Sequence, residues 1–201
     1  MVHPTHNEIG YSIDITGAVG DTATLPSVLD VFFQRTDSTF AIVFDICFAD
    51  DDYNVFFGGA ISASSIKLWR NEVSGNLDLE LIDEAAKHRD YTWTAPLNRG
   101  RWYNIILNGT ANEADGIQLY VDFVQKTASA QTNDVGYNAA VSPPLKFGDI
   151  DAVNLGGFKV TKPYFFNRNL TADEITKIKE RRMYPSDFAF AWNFKRPNIG
   201  L

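Results

Sequence analysis

Alternation of apolar and polar residues over short runs is the feature that most constrains this chain. "LDLELI" sets Leu77, Leu79 and Leu81 on one face and Asp78 and Glu80 on the other, because successive side chains of a strand point to opposite sides. "YSIDI" does the same with Tyr11, Ile13 and Ile15, and "DFAFAWNF" with Phe188, Phe190, Trp192 and Phe194. "FAIVFDICF" is apolar almost throughout, as a strand covered on both faces is. "NVFFGGAI", "SIKLWRN", "RDYTW", "RWYNIILNG" and "GIQLYVDF" extend the series, separated by breaks such as "ADDDYN", "EVSG" and "TANEAD". About a dozen short strands are predicted, which two packed sheets accommodate. "TASAQTNDVGYNAAVSPP" is small, polar and Pro-terminated, and is expected to form a long loop or crossover. With no linker and no internal repeat, residues 1–201 are expected to form a single domain.

One segment breaks the period of two. In "NLTADEITKIKERR", Thr171 is placed to cap a helix and Glu174 falls at its third position, completing the T-x-x-E capping box. Leu170 before the cap and Ile175 after it form a hydrophobic staple. Lys177, Lys179, Arg181 and Arg182 suit the negative end of the helix dipole, and Pro185 limits its extension.

With this helix placed, "GGFKVTKPYFFNRNLTADEITKI" resembles the closing segment of laminin-G-like, concanavalin A-like jelly rolls. "RWYNIILNG" with "GIQLYVDF" resembles the segment before it, and "GYSIDITG" and "FAIVFDICF" fit the opening strands. The resemblance implies an all-β fold, an antiparallel two-sheet jelly-roll sandwich with one short helix near the C-terminus. It also implies that Trp102 is a structural core tryptophan. Phe123 stands where that family has glycine after "LYVD", so the turn there is expected to differ. Such a fold hosts lectins, adhesion modules, glycanases and inert structural domains, so function must be read from sites.

Charge and composition narrow the classes. A net charge of -7 leaves no basic footprint for nucleic acid. No apolar run approaches membrane-spanning length, so no membrane insertion is expected. The lone cysteine, Cys47, excludes an intramolecular disulfide, and its apolar neighbours predict a buried structural thiol. His3, His6 and His88 form no metal-spaced pair. "NGT" at Asn108 and "NLT" at Asn169 match glycosylation acceptors.

Three kinds of site can be sought. Catalysis on a polysaccharide would need paired carboxylates. Asp78 and Glu80 alternate as required but lie opposite a leucine face, which predicts a solvated surface and no enzyme. Calcium needs six or more oxygens. Asp50, Asp51, Asp52 and Asn54 share one turn and are its candidate ligands, although acidic residues are also ordinary turn formers. Asp149 and Asp151 form a second acidic pair. No cofactor is required by these patterns. Glycan binding needs an exposed aromatic plate beside planar hydrogen-bonding groups. Arg89, Tyr91 and Trp93 align on one face of "HRDYTW", with His88 and Asp90 on the other, and Trp69 and Tyr53 are further candidates.

The opening "MVHPTHNEIG" lacks the charged and apolar regions of a secretion signal. An adhesion-type domain without such a signal needs another route outward, and a virion protein has one. The leading expectation is therefore a non-enzymatic structural or adhesion protein of a virus or phage particle, a capsid decoration or fibre-associated protein. Its expected partners are other virion or self subunits, docked through the termini, and a host-surface glycan. The alternative is a soluble or secreted, extracellular lectin module. A third reading is a divergent polysaccharide hydrolase or lyase.

Overall fold

The computed structural model describes residues 12–16, 22–25, 39–51, 54–61, 64–110, 113, 116–137, 144–148 and 156–180. In chain order these form β1 (Ser12–Ile15), β2 (Thr22–Thr24), β3 (Thr39–Phe48), β4 (Asn54–Ile61), β5 (Ser64–Arg70), β6 (Leu77–Ile82) and β7 (His88–Trp93). Then follow β8 (Trp102–Thr110), β9 (Ile117–Val121), β10 (Val124–Lys126), β11 (Ala128–Asn133), β12 (Lys146–Gly148), β13 (Phe158–Phe166) and helix α1 (Ala172–Lys179). A six-stranded sheet runs β1-β13-β3-β8-β9-β10 and a seven-stranded sheet runs β11-β7-β6-β5-β4-β12-β2. Every pairing is antiparallel. The expected all-β sandwich with a short helix is what forms.

The core lies between the inner faces. Leu77, Leu79 and Leu81 are fully buried there, as their alternation predicts. The two sheets meet through aromatic edges: Phe44 and Phe56 have ring centroids 6.1 Å apart, Phe48 and Phe56 5.5 Å, and Phe44 and Phe147 5.7 Å, all T-shaped. Edge-to-face contact of this kind adds to the stabilisation from burial alone. β3 is covered on both sides, which accounts for its continuous apolar run. Phe40, Ile42, Phe44, Ile46 and Phe48 enter the main core, whereas Ala41 and Val43 face a second cluster under the helix.

That second cluster explains the helix. Thr171 and Glu174 form the full capping box, and Leu170 and Ile175 are buried with Ile106 and Phe166 on the outer face of the six-stranded sheet. Asn108 holds the approach to the cap in a two-point grip. Its amide Nδ2 donates to the Leu170 carbonyl at 3.0 Å, and its Oδ1 accepts from the Leu170 N–H at 2.7 Å. Asn108 is therefore buried, and its glycosylation match has no accessible nitrogen behind it.

Three expectations are revised, and one is met. Ala128–Asn133, expected within a loop, pairs with β7 as an edge strand. An edge strand is held by backbone bonds along one side, so it needs little apolar patterning to form. Trp102, expected in the core, is 42% exposed. In β8 it is Tyr103, Ile105 and Leu107 that face inward, and Trp102 shares its parity with Asn104 and Asn108. Cys47 is only partly buried; what burial it has raises its thiol pKa, against the pull of Lys159. After "LYVD" the chain does turn differently. Asp122 (φ 51°) and Phe123 (φ 65°) both take left-handed conformations in a two-residue hairpin joining β9 to β10, the geometry that matches the twist of paired strands. The aromatic segment at 187–194, the terminal docking segments, and Asp149 and Asp151 lie outside the described residues.

Candidate functional site

The expected glycan plate is absent from the surface. Tyr91 and Trp93 are each 1% exposed and Arg89 is 7% exposed. They lie opposite Leu79, Leu77 and Leu81 on the inner face of the seven-stranded sheet. Burial is what an aromatic pair of this size favours, and the two rings stack at 5.3 Å with their planes 5° apart. Arg89 covers the Tyr137 ring at 5.1 Å. Burial in turn holds the Tyr137 hydroxyl well above its usual pKa. The other parity of the same strand, His88, Asp90 and Thr92, faces out. Trp69 is partly exposed and sits opposite Asp78 in β6, whose carboxylate accepts from the Thr92 hydroxyl at 2.5 Å. Tyr53 lies outside the described residues.

The calcium turn also fails to converge in its described members. The Asp50 carboxylate accepts from the Gly157 N–H at 2.8 Å. Asp51 faces two guanidinium groups, Arg70 at 2.9 Å and Arg99 at 3.5 Å. Two flanking cations oppose a third. Asp52 and the side chain of Asn54 lie outside the description.

A concave feature does occur beside this turn. An open cleft of about 360 Å³ lies between the loop following β7 and the β9–β10 hairpin. Pro96 and Val124, the latter 54% exposed, supply apolar walls; Asn98, Arg101, Asp122 and Lys126 supply polar groups; and Tyr103 forms part of the lining. Its shape is held from behind. Buried Arg70 donates through Nε to the Leu97 carbonyl at 2.7 Å while lying 5.5 Å over the Phe48 ring. The Leu97 N–H donates to the Gly75 carbonyl at 3.0 Å, and the Asn98 N–H to the Tyr103 hydroxyl oxygen at 2.8 Å. On the opposite wall the Asp122 carboxylate accepts from the Asn104 N–H at 3.0 Å and from the Arg101 guanidinium at 2.8 Å. Arg101 lies 4.8 Å over the Tyr103 ring. Aromatic stacking and an ion pair thus present a planar donor group at the cleft mouth.

None of these cleft residues was singled out from sequence. Their signal was the parity of "RGRWYNIILN": Asn104 and Asn108 share a face with Trp102, which marks Tyr103 as the inward aromatic and turns attention to the arginine near it.

No protein family and no curated protein matches the sequence. Solved structures do match in fold. The binding domain of botulinum neurotoxin serotype G aligns with a TM-score of 0.63 at 13% identity, over 85% of this chain and 42% of that one. The receptor binding domain of botulinum neurotoxin D aligns at 0.63 and 15%, over 87% and 45%. The binding domain of Paraclostridial Mosquitocidal Protein 1 aligns at 0.63 and 11%, over 85% and 43%. The chain spans less than half the length of each. The likeness is one of fold, a β-sandwich, and does not by itself assign the chain to a family.

Proposed function

We propose that this chain is a non-enzymatic binding module that takes a saccharide in the cleft bounded by Pro96, Arg101, Val124 and Lys126. The cleft itself is the observation that carries this reading. A sugar ring offers an apolar face and a fringe of hydroxyls, and the cleft places apolar walls beside fixed planar donors and acceptors. Support comes from the neighbours in fold, which are named as binding or receptor-binding domains. The engagement of the two candidate catalytic carboxylates also supports a non-enzyme: Asp78 is bonded to Thr92, and Glu80 lies 3.6 Å from the Lys67 ammonium.

A glycan array probed with wild type and with Arg101→Ala and Lys126→Ala tests the cleft. Hits on wild type that disappear in the variants, with melting temperatures unchanged, are expected. An array without hits, or hits indifferent to both changes, refutes the proposal. The finer placement on a virus or phage particle, with secretion as its alternative, is tested separately. A purified chain that stays monomeric and binds no capsid or tail protein removes it.

A further inference from the structure

The outer face of the seven-stranded sheet holds a cluster that neither core nor cleft uses. Glu80 of β6 lies directly opposite Asp90 of β7, and His88 follows on the same face two residues away. One ligand atom from each of the three lies within 4.8 Å of the other two. Both strands are anchored from below by buried Leu79, Leu81 and Tyr91, so the backbone presenting the cluster is held in place.

A second observation points to a missing occupant. The Asp90 side chain is 39% exposed, yet its Oδ1 atom is turned away from solvent and accepts no hydrogen bond. The His88 imidazole Nδ1 lies 3.8 Å from it, too far for a hydrogen bond. A shielded carboxylate oxygen without a donor is costly unless a positive charge satisfies it. Asp134 is engaged in accepting from the His88 backbone N–H at 2.9 Å, and the Lys67 ammonium, paired with Glu80 at 3.6 Å, must swing away for a metal to take that carboxylate.

We propose that Glu80, His88 and Asp90 form a binding site for a first-row transition-metal dication. One imidazole nitrogen with two carboxylates suits zinc, cobalt or manganese, whereas calcium takes oxygen ligands alone and more of them. Metal–ligand distances of about 2.0–2.2 Å bring such ligand atoms closer together than they now lie. Small side-chain rotations achieve this on strands whose backbones already place the three residues together. Three protein ligands leave a coordination position for water or for an external oxygen ligand. The proposal does not rest on the cleft, and failure of saccharide binding there would leave it standing.

The test titrates the full chain with zinc chloride by calorimetry and with cobalt chloride by visible absorption. A single saturable site is expected, with cobalt bands typical of mixed nitrogen and oxygen ligation. His88→Ala and Glu80→Gln should each weaken binding by about tenfold or more, and a His3→Ala/His6→Ala variant should bind as wild type does. Thermal melts of the metal-free variants establish that each is folded. Should His88→Ala fail to fold, Glu80→Gln decides the outcome. Absence of saturable binding overturns the proposal. So does binding that survives both cluster variants or that is lost with His3 and His6.

Discussion

Glu174 joins the end of the last described strand to the helix that follows, and the joint depends on charge. Its carboxylate accepts from the Thr171 N–H at 2.8 Å and from the two terminal nitrogens of Arg168 at 2.9 and 2.7 Å. Chiefly through Arg168, and against the effect of burial, the carboxyl is held down from 4.5 to about 2. A displacement of that size sets an upper limit of about 3 kcal/mol on the stabilisation. Arg168 is 43% exposed, and solvent screening there lowers the expected contribution to about 1–2 kcal/mol. Glu174→Gln keeps the shape and one acceptor oxygen but removes the charge. At about pH 7 it should lower the melting temperature by about 3–6 °C, the scale set by a domain of this size. The folded carboxyl is the stronger acid, so the unfolded chain binds more protons as pH falls. The contribution is therefore full above about 4.5 and is lost as pH falls towards about 2. Melts of wild type and Glu174→Gln across that window should converge at the acid end. A difference that stays constant with pH, or no difference at neutral pH, refutes the reasoning.

Two further substitutions test the packing and the turns. Trp93→Ala should cost about 3–5 kcal/mol in urea denaturation, as removal of a fully buried aromatic does; a near-neutral result would return Trp93 to the surface. Ala86 is exposed and held at φ 55° in the turn where the Asp83 carboxylate accepts from Ala85 and Lys87 N–H at 2.9 and 2.8 Å. Ala86→Gly should stabilise by about 0.5–1 kcal/mol, because relief of left-handed strain exceeds the added chain entropy; a lower melting temperature would show that the strain is not there.

Elements whose signal is local were legible in the residues. The capping box of α1 reads directly from Thr171 and Glu174, since a cap is completed within one turn of chain. β6 reads from its leucines, whose polar alternates leave one possible inner face. β11 was not legible: Ala128–Asn133 has no apolar alternation, and its strand state comes from the free edge of β7. The cleft was not legible either, because its walls come from the loop after β7 and from the β9–β10 hairpin, which meet only in the folded chain.

"HRDYTW" draws the line most clearly. Its sequence alone determined that Arg89, Tyr91 and Trp93 share one face and that His88, Asp90 and Thr92 share the other, because a strand alternates with a period of two. Which face meets water was decided by tertiary structure, since a period of two is the same whichever side the second sheet covers. Packing against the six-stranded sheet buried the aromatic face with Leu77 and Leu79. It left the opposite parity, and with it the imidazole and carboxylates of β6 and β7, on the outside.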